Sequence, residues 1–218
     1  MLGHLPLRLL CPVAPAELID QSLETSAREE AKQGEPPPGD AGIQPPYWAD
    51  IWPAAVALGR RLLTMPLAGE RVLEIGAGVG LAGLAAARAG ASVLLTDREP
   101  IALEIVRRNA ALNDLSVETA ILDWFENPPE ASFDWIIGAD ILYERQQAEP
   151  VARLLARLLD GGGRALIADP ERPFQDLFLQ TLAGLKLSAT PRPTHFYWDG
   201  MARTVTLIEV EPVQGRES

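Results

Sequence analysis

Cysteine is almost missing from this chain. Cys11 is the single one among 218 residues, which excludes an internal disulfide framework and any metal cluster built on thiolates. Histidine is nearly as scarce: His4 and His195 are the two, too few for a His-rich site, so no metal is expected. Lysine occurs only at Lys32 and Lys186. Nineteen basic residues stand against thirty acidic ones, for a formal net charge of −11. That balance is the opposite of the clustered Lys/Arg footprint that nucleic acid demands. No apolar run approaches the ~20 residues that cross a bilayer. Neither a nucleic-acid nor a membrane partner is therefore expected. The acidity suits a cationic partner, or a solvated surface with no partner at all.

The opening LPLRLLCPVAPA mimics a secretory segment, but Arg8 breaks its apolar stretch, Pro6 and Pro12 interrupt it, and Leu10 before Cys11 is too large for a lipoprotein cleavage site. It reads as an N-terminal strand or extended arm, and the expected compartment is cytoplasmic. Residues 1–46 divide into that arm, a polar helix-compatible stretch carrying Leu18, Ile19 and Leu23 on one side, and a Pro/Gly-rich loop, GEPPPGDAGIQPP. Residues 47–218 form the expected α/β domain, taken as a monomer. With 47% hydrophobic and 22% charged residues, the chain can bury a sizeable core.

From Tyr47 onward strands and amphipathic helices alternate. RVLEI (71–75), SVLLTD (92–97), SVETAIL (116–122), FDWIIGA (133–139) and RALIA (164–168) read as strands. Helices are expected over 81–89, 100–112, 150–160 and 174–185, the third stopped by the glycines after Asp160. In the tail, TVTLIEVE alternates cleanly and Trp198-Asp199-Gly200-Met201 looks like a hairpin turn. Strands separated by helices imply right-handed βαβ units and a mostly parallel sheet, with the last strand antiparallel.

Glu74-Ile75-Gly76-Ala77-Gly78-Val79-Gly80 follows the first strand and opens a helix. Glycines there permit either a tight βα turn or the approach of a ligand to the main chain at the carboxyl edge of the sheet. The dinucleotide pattern G-x-G-x-x-G is not met, because Leu81 stands where its third glycine belongs. No Gly-Lys-Ser/Thr follows, so this is not a phosphate-binding P-loop. Glu74 would oppose a pyrophosphate but suits an ammonium or sulfonium group. Asp97, ending the second strand, can take both hydroxyls of a ribose or cap the following helix.

Together these residues resemble the seven-strand S-adenosylmethionine-dependent methyltransferases. Three further stretches narrow the resemblance: Tyr47-Trp48-Ala49-Asp50-Ile51-Trp52-Pro53, Leu122-Asp123-Trp124 and Gly138-Ala139-Asp140-Ile141-Leu142-Tyr143. They are similar to the protein-lysine methyltransferase group that carries a D-x-x-Y motif. Asp169-Pro170-Glu171-Arg172-Pro173 resembles the D-P-x-R-P of its electron-transfer-flavoprotein β-subunit branch. The resemblance covers 47–211 and implies a Rossmann-like, seven-stranded, mostly parallel sheet with helices on both faces and an antiparallel C-terminal hairpin. It implies S-adenosyl-L-methionine as cofactor, with contacts at Trp52, Gly76, Ala77, Gly78, Asp97, Trp124 and Ala139, to which Glu74 and Asp123 are added as candidates on their own chemistry. Trp124 would cover the adenine and Asp123 would accept its amino group, although Trp52 and Trp124 can equally be core residues. Asp140 and Tyr143 are the candidate catalytic pair, set to hold an incoming amine, against the alternative that they cap a turn and pack at the sheet edge. Asp169 and Arg172 either shape substrate access or pair with each other. The expected activity is N-methylation of lysine in a protein substrate. The alternatives are a small-molecule N-methyltransferase whose pocket Trp48, Phe196, Tyr197 and Trp198 would line, and a catalytically silent cofactor-binding module.

Overall fold

A computed structural model describes residues 6–12, 47–125 and 131–213. The helix and Pro-rich loop expected between residues 15 and 46 lie outside the described residues.

Seven strands form one sheet in the order β3-β2-β1-β4-β5-β7-β6. They are β1 (Arg71–Ile75), β2 (Ser92–Asp97), β3 (Glu118–Ile121), β4 (Trp135–Ala139), β5 (Arg164–Asp169), β6 (Leu187–Trp198) and β7 (Met201–Pro212). The pairs joining β1 to β5 are parallel, and β7 is antiparallel to both β5 and β6. Five helices accompany them: α1 (Pro53–Leu62), α2 (Leu81–Arg88), α3 (Pro100–Leu112), α4 (Ala148–Leu158) and α5 (Gln175–Gly184). A short 3-10 turn, Tyr47–Ala49, precedes α1, and another, Arg145–Gln147, leads into α4.

The period of two along the strands divides the core. Val72, Ile137, Leu166, Ala168, Val205 and Leu207 face α1 and α2, while Leu73, Ile75, Ile136, Ala165, Ile167, Ile208 and Val210 face α4 and α5. Both faces of the central strands are thus covered, which is why they read as continuous apolar runs. Each fully buried Leu, Ile or Phe contributes roughly 1.5–3 kcal/mol of transfer free energy to this three-layer arrangement.

The expected bounds hold for β1, β2 and α3. The third strand is shorter than SVETAIL, because only Glu118–Ile121 finds partners on β2. Helix α4 starts two residues before Pro150, which sits in its first turn, where a backbone N–H has no intrahelical acceptor to lose. The described residues of the N-terminal arm, 6–12, join no strand. The hairpin turn places Asp199 at φ 48° and Gly200 at φ 71°, the left-handed pair that a two-residue turn between twisted strands needs. Pairing of β5 with β7 ends at Asp169↔Thr206, while β6 and β7 run on to Trp198↔Met201, so the hairpin stands out past the end of β5.

Because β1 leads to β2 and β3 on one side and β4 leads to β5 on the other, the winding reverses between β1 and β4. Their carboxyl ends splay around a crevice, the usual ligand position in an open parallel sheet. The glycines that follow α4 lie at the opposite edge of the sheet, where β5 begins. At Gly163 φ is +86° and a Cβ would come 2.5 Å from the carbonyl oxygen of Phe133, whereas a Cβ at Gly161 would meet nothing within 4 Å. Gly163→Ala should therefore lower stability by about 2 kcal/mol or more in denaturant titration, with Gly161→Ala within about 0.5 kcal/mol of the native chain. Equal effects at the two positions would contradict this packing.

Candidate active site

The loop after β1 carries three left-handed glycines, Gly76, Gly78 and Gly80, at φ 68°, 53° and 86°. Glycine is required most plainly at Gly78, where a Cβ would press 3.0 Å from the carbonyl oxygen of Trp48. Backbone bonds fix the path: Ala77 N–H donates to Thr96 O (2.9 Å) and Gly80 N–H to Ala77 O (2.8 Å). The Gly78 N–H donates to Asp97 Oδ2 (2.9 Å), and the Glu99 N–H donates to Oδ1 of the same carboxylate (3.0 Å). Asp97 therefore ties the glycine loop to the end of β2. Each of its oxygens still has a lone pair for a further donor such as a hydroxyl. Burial pushes its carboxyl above the ordinary range, against the pull of these two N–H groups.

Glu74 lies beneath the loop, on the α2 face of β1. Its Oε2 accepts the N–H of Gly83 (2.9 Å) in the first turn of α2, so the carboxyl caps that helix from the neighbouring strand. Trp124 and Ile141 pack onto Gly76, where a Cβ would come 3.0 Å from each side chain. Asp123 Oδ1 accepts the Phe125 N–H (3.0 Å), a local turn that carries Trp124 away from the line of β3. Ala139 ends β4 half-buried against the α1 and α2 side of the core.

On the far side of the crevice, Asp140 follows β4 in the left-handed region, φ 55°, with its N–H on Ala168 O at 2.8 Å. Holding a non-glycine residue there costs about 1–3 kcal/mol and marks a conformation imposed by the surroundings. Its carboxylate does not stand alone. Arg172 grips it with two charge-assisted bonds, Nε to Oδ1 at 2.8 Å and an Nη nitrogen to Oδ2 at 3.0 Å. This separates the two readings of the D-P-x-R-P stretch. Arg172 does meet Asp169, but through its backbone N–H on Oδ1 (2.7 Å), while the guanidinium goes to Asp140. The Asp140 carboxylate holds the guanidinium above its already high pKa.

Aromatic rings enclose this pair. The Arg172 guanidinium lies 5.8 Å from the centroid of Trp52, whose indole N–H donates to Tyr47 O (2.8 Å). Tyr47 in turn stacks at a tilt on Tyr143, centroids 5.3 Å apart. Burial raises the Tyr143 hydroxyl above its usual pKa, with a Gln147 hydrogen bond opposing it. The expected pair Asp140 and Tyr143 is thus brought together with Trp52. Tyr47 and the arginine–aspartate link were not picked out from the sequence; the clustering of Tyr47, Trp48 and Trp52 was the signal for the former. Phe196 and Tyr197 lie on opposite faces of β6, one buried beside Arg60 and the other exposed at the hairpin end, so they do not line one pocket.

At the reversal point of the doubly wound sheet the glycine loop and the Asp97 carboxylate stand on one side of the crevice, and the aromatic, charged cluster of Asp140 and Arg172 stands on the other. The chain belongs to the lysine methyltransferase family, whose model matches residues 47–183. It is 36% identical over 132 residues to the electron transfer flavoprotein beta subunit lysine methyltransferase of Mus musculus, covering 59% of this chain and 52% of that protein. It is 37% identical over 123 residues to the histone-arginine methyltransferase METTL23 of Xenopus laevis, covering 52% of this chain and 53% of that one. The chain thus spans about half the length of the curated relatives it matches. Among solved structures, a TehB-like SAM-dependent methyltransferase from Corynebacterium glutamicum shares the fold, with a TM-score of 0.55 and 21% identity over 88% of this chain and 98% of that one.

Glu74 gives the site a pH signature. Burial pushes its carboxyl from 4.5 up to about 8, with Asp97 adding to the rise. The folded state then holds this proton more tightly than the unfolded chain does. The Glu74 contribution is greatest at low pH and is lost as pH climbs between about 4.5 and about 8. Glu74→Gln keeps an oxygen for Gly83 and cannot ionise. Its melting temperature should gain on the native protein steadily across that window; a gap that does not change with pH would contradict the assignment.

Proposed function

We propose that this protein is an S-adenosylmethionine-dependent methyltransferase that methylates lysine side chains of a protein substrate. The observation that carries the reading is the convergence on one crevice of the Gly76–Gly80 loop, Asp97 and the cluster of Asp140, Arg172, Trp52, Tyr47 and Tyr143. Family membership supports the lysine acceptor, and the names of both curated relatives support a protein.

The residues fit the donor. Left-handed glycines leave the loop without a side chain at Gly76, Gly78 and Gly80, Asp97 retains acceptor capacity for ribose hydroxyls, and Trp124 offers an aromatic face beside Gly76. When bound, S-adenosylmethionine supplies a methyl group activated on a sulfonium centre. The loop and Asp97 hold its methionine and ribose portions, and Ala77, Asp123 and Ala139 complete the lining. Glu74 acts from below by fixing the start of α2.

The acceptor must present a nitrogen lone pair, so a lysine ammonium has to give up a proton to solvent before transfer. A lone carboxylate would stabilise the ammonium, but Asp140 is already neutralised by Arg172 and does not hold it in the charged form. Asp140 and Tyr143 then orient the neutral amine in line with the donor, and positioning supplies much of the rate. The cytoplasmic setting and the monomeric state belong to this reading as expectations from composition.

Purified chain should transfer label from radioactive S-adenosylmethionine to proteins of a cell lysate, with methyl-lysine recovered on hydrolysis. Label in methyl-arginine or confined to small metabolites would overturn the acceptor. Asp97→Ala should weaken S-adenosylhomocysteine binding by roughly tenfold or more in calorimetry. Asp140→Ala should leave that affinity nearly native while lowering methyl transfer by a factor of about 10² or more. Full activity in a folded Asp140→Ala protein would remove Asp140 from the mechanism.

A further inference from the structure

One face of α3 does something its helical role does not explain. Asn109 and Asn113 lie one turn apart and hold the extended arm as a neighbouring strand would. The Arg8 N–H donates to Asn113 Oδ1 (2.8 Å), and Asn113 Nδ2 donates back to Arg8 O (2.6 Å). The Leu10 N–H donates to Asn109 Oδ1 (2.6 Å), and Asn109 Nδ2 donates back to Leu10 O (3.1 Å). Four residues of helix rise about 6 Å and two residues of extended chain about 6.7 Å, so two carboxamides at i, i+4 can serve two rungs of an extended segment. Leu7 and Leu9, on the alternate positions, pack against the core on the α1 and α2 side.

Each carboxamide makes a third bond: Asn113 Nδ2 also donates to Asn109 O (2.7 Å), within the helix, whereas that of Asn109 leaves it. Asn109 Nδ2 also donates to the carbonyl of Val79 (2.9 Å), inside the glycine loop. The residue is fully buried, so each of these groups has a protein partner in place of water, and losing one leaves an unpaired polar atom. The Val79 carbonyl belongs to the peptide joined to Gly80, which is held in the left-handed region at φ 86°. The N–H of this peptide is held by Ala77 O (2.8 Å), and Asn109 holds its carbonyl, so both sides of it are pinned. The arm, α3 and the loop therefore meet at one side-chain amide.

We propose that Asn109 is a positioning residue of the donor site, and that the seating of residues 8–10 on α3 sets the conformation of Gly78–Gly80. The arm is thereby part of the donor-binding machinery, although the family match begins only at residue 47. The inference rests on the reading that this loop binds the nucleoside donor.

Two full-length variants test it. Leu10→Pro removes the N–H that Asn109 accepts, at a residue whose side chain is exposed, and leaves Asn109 itself intact. Asn109→Ala removes both links. S-adenosylhomocysteine affinity, measured by calorimetry well below the melting temperature, should fall about three- to tenfold in Leu10→Pro and about tenfold or more in Asn109→Ala. Hydrogen exchange at the Gly78 and Gly80 amides of the ligand-free protein should quicken in both. A merely structural arm would lower the melting temperature of both variants and leave affinity and loop exchange native, which would overturn the proposal. Should the native chain not bind S-adenosylhomocysteine, the methyltransferase reading falls. Loop exchange in Leu10→Pro then decides the coupling alone: faster exchange supports it and unchanged exchange overturns it.

Discussion

Among the described residues the buried acidic side chains are Glu74, Asp97, Asp140 and Asp169. Each sits at or beside the carboxyl end of one of four adjacent strands, β1, β2, β4 and β5. Burying a carboxylate away from water is costly unless donors replace the lost solvation, and the rest of this edge is organised around supplying them. Glu74 takes an N–H from the start of α2, and Asp97 takes one from the glycine loop and one from Glu99. Asp140 takes the Arg172 guanidinium, and Asp169 takes the Arg172 backbone N–H. Loop path, helix start and the turn after β5 are thereby fixed by the same four groups.

The solvation is deliberately incomplete in physical terms. Asp169 Oδ2 has no hydrogen-bond partner, and burial pushes that carboxyl up to about 6, with the charge of Asp140 adding to the rise. Asp97 and Glu74 are raised as well. Partly satisfied carboxyl groups collect along this one sheet edge, whereas at the opposite edge the strands begin in exposed positions. The neutral pair of Asp140 and Arg172 also changes the chemistry open to this edge.

The parallel sheet was legible because its information is local. Arg71–Ile75 and Ser92–Asp97 are apolar runs ending at glycine or aspartate, and Pro100 opens α3 where a helix accepts it. The glycine loop and Asp97 were legible for the same reason: spacing and position on a strand end suffice. What the sequence concealed are pairings across distance. Arg172 lies 32 residues from Asp140, and its choice of Asp140 over its near neighbour Asp169 depends on how β4 and β5 end side by side. Glu74 was expected at the ligand and is found engaging Gly83, because a strand's period of two turns it toward α2. Asn109 and Asn113 carry no periodic signal at all, since a helix presents polar groups on its outer face by default. Their meaning appears only once the arm lies on them.

The account turns on one crevice holding a nucleoside donor between the glycine loop and the aromatic cluster. A crystal structure of the chain with S-adenosylhomocysteine measures this most directly. It should show the ribose hydroxyls within about 2.5–3.2 Å of the Asp97 carboxylate, the amino-acid portion along Gly76–Gly78, and the sulfur facing Asp140 and Tyr143. A ligand bound away from the loop, or one lying in the crevice without a hydrogen bond to Asp97, would contradict it.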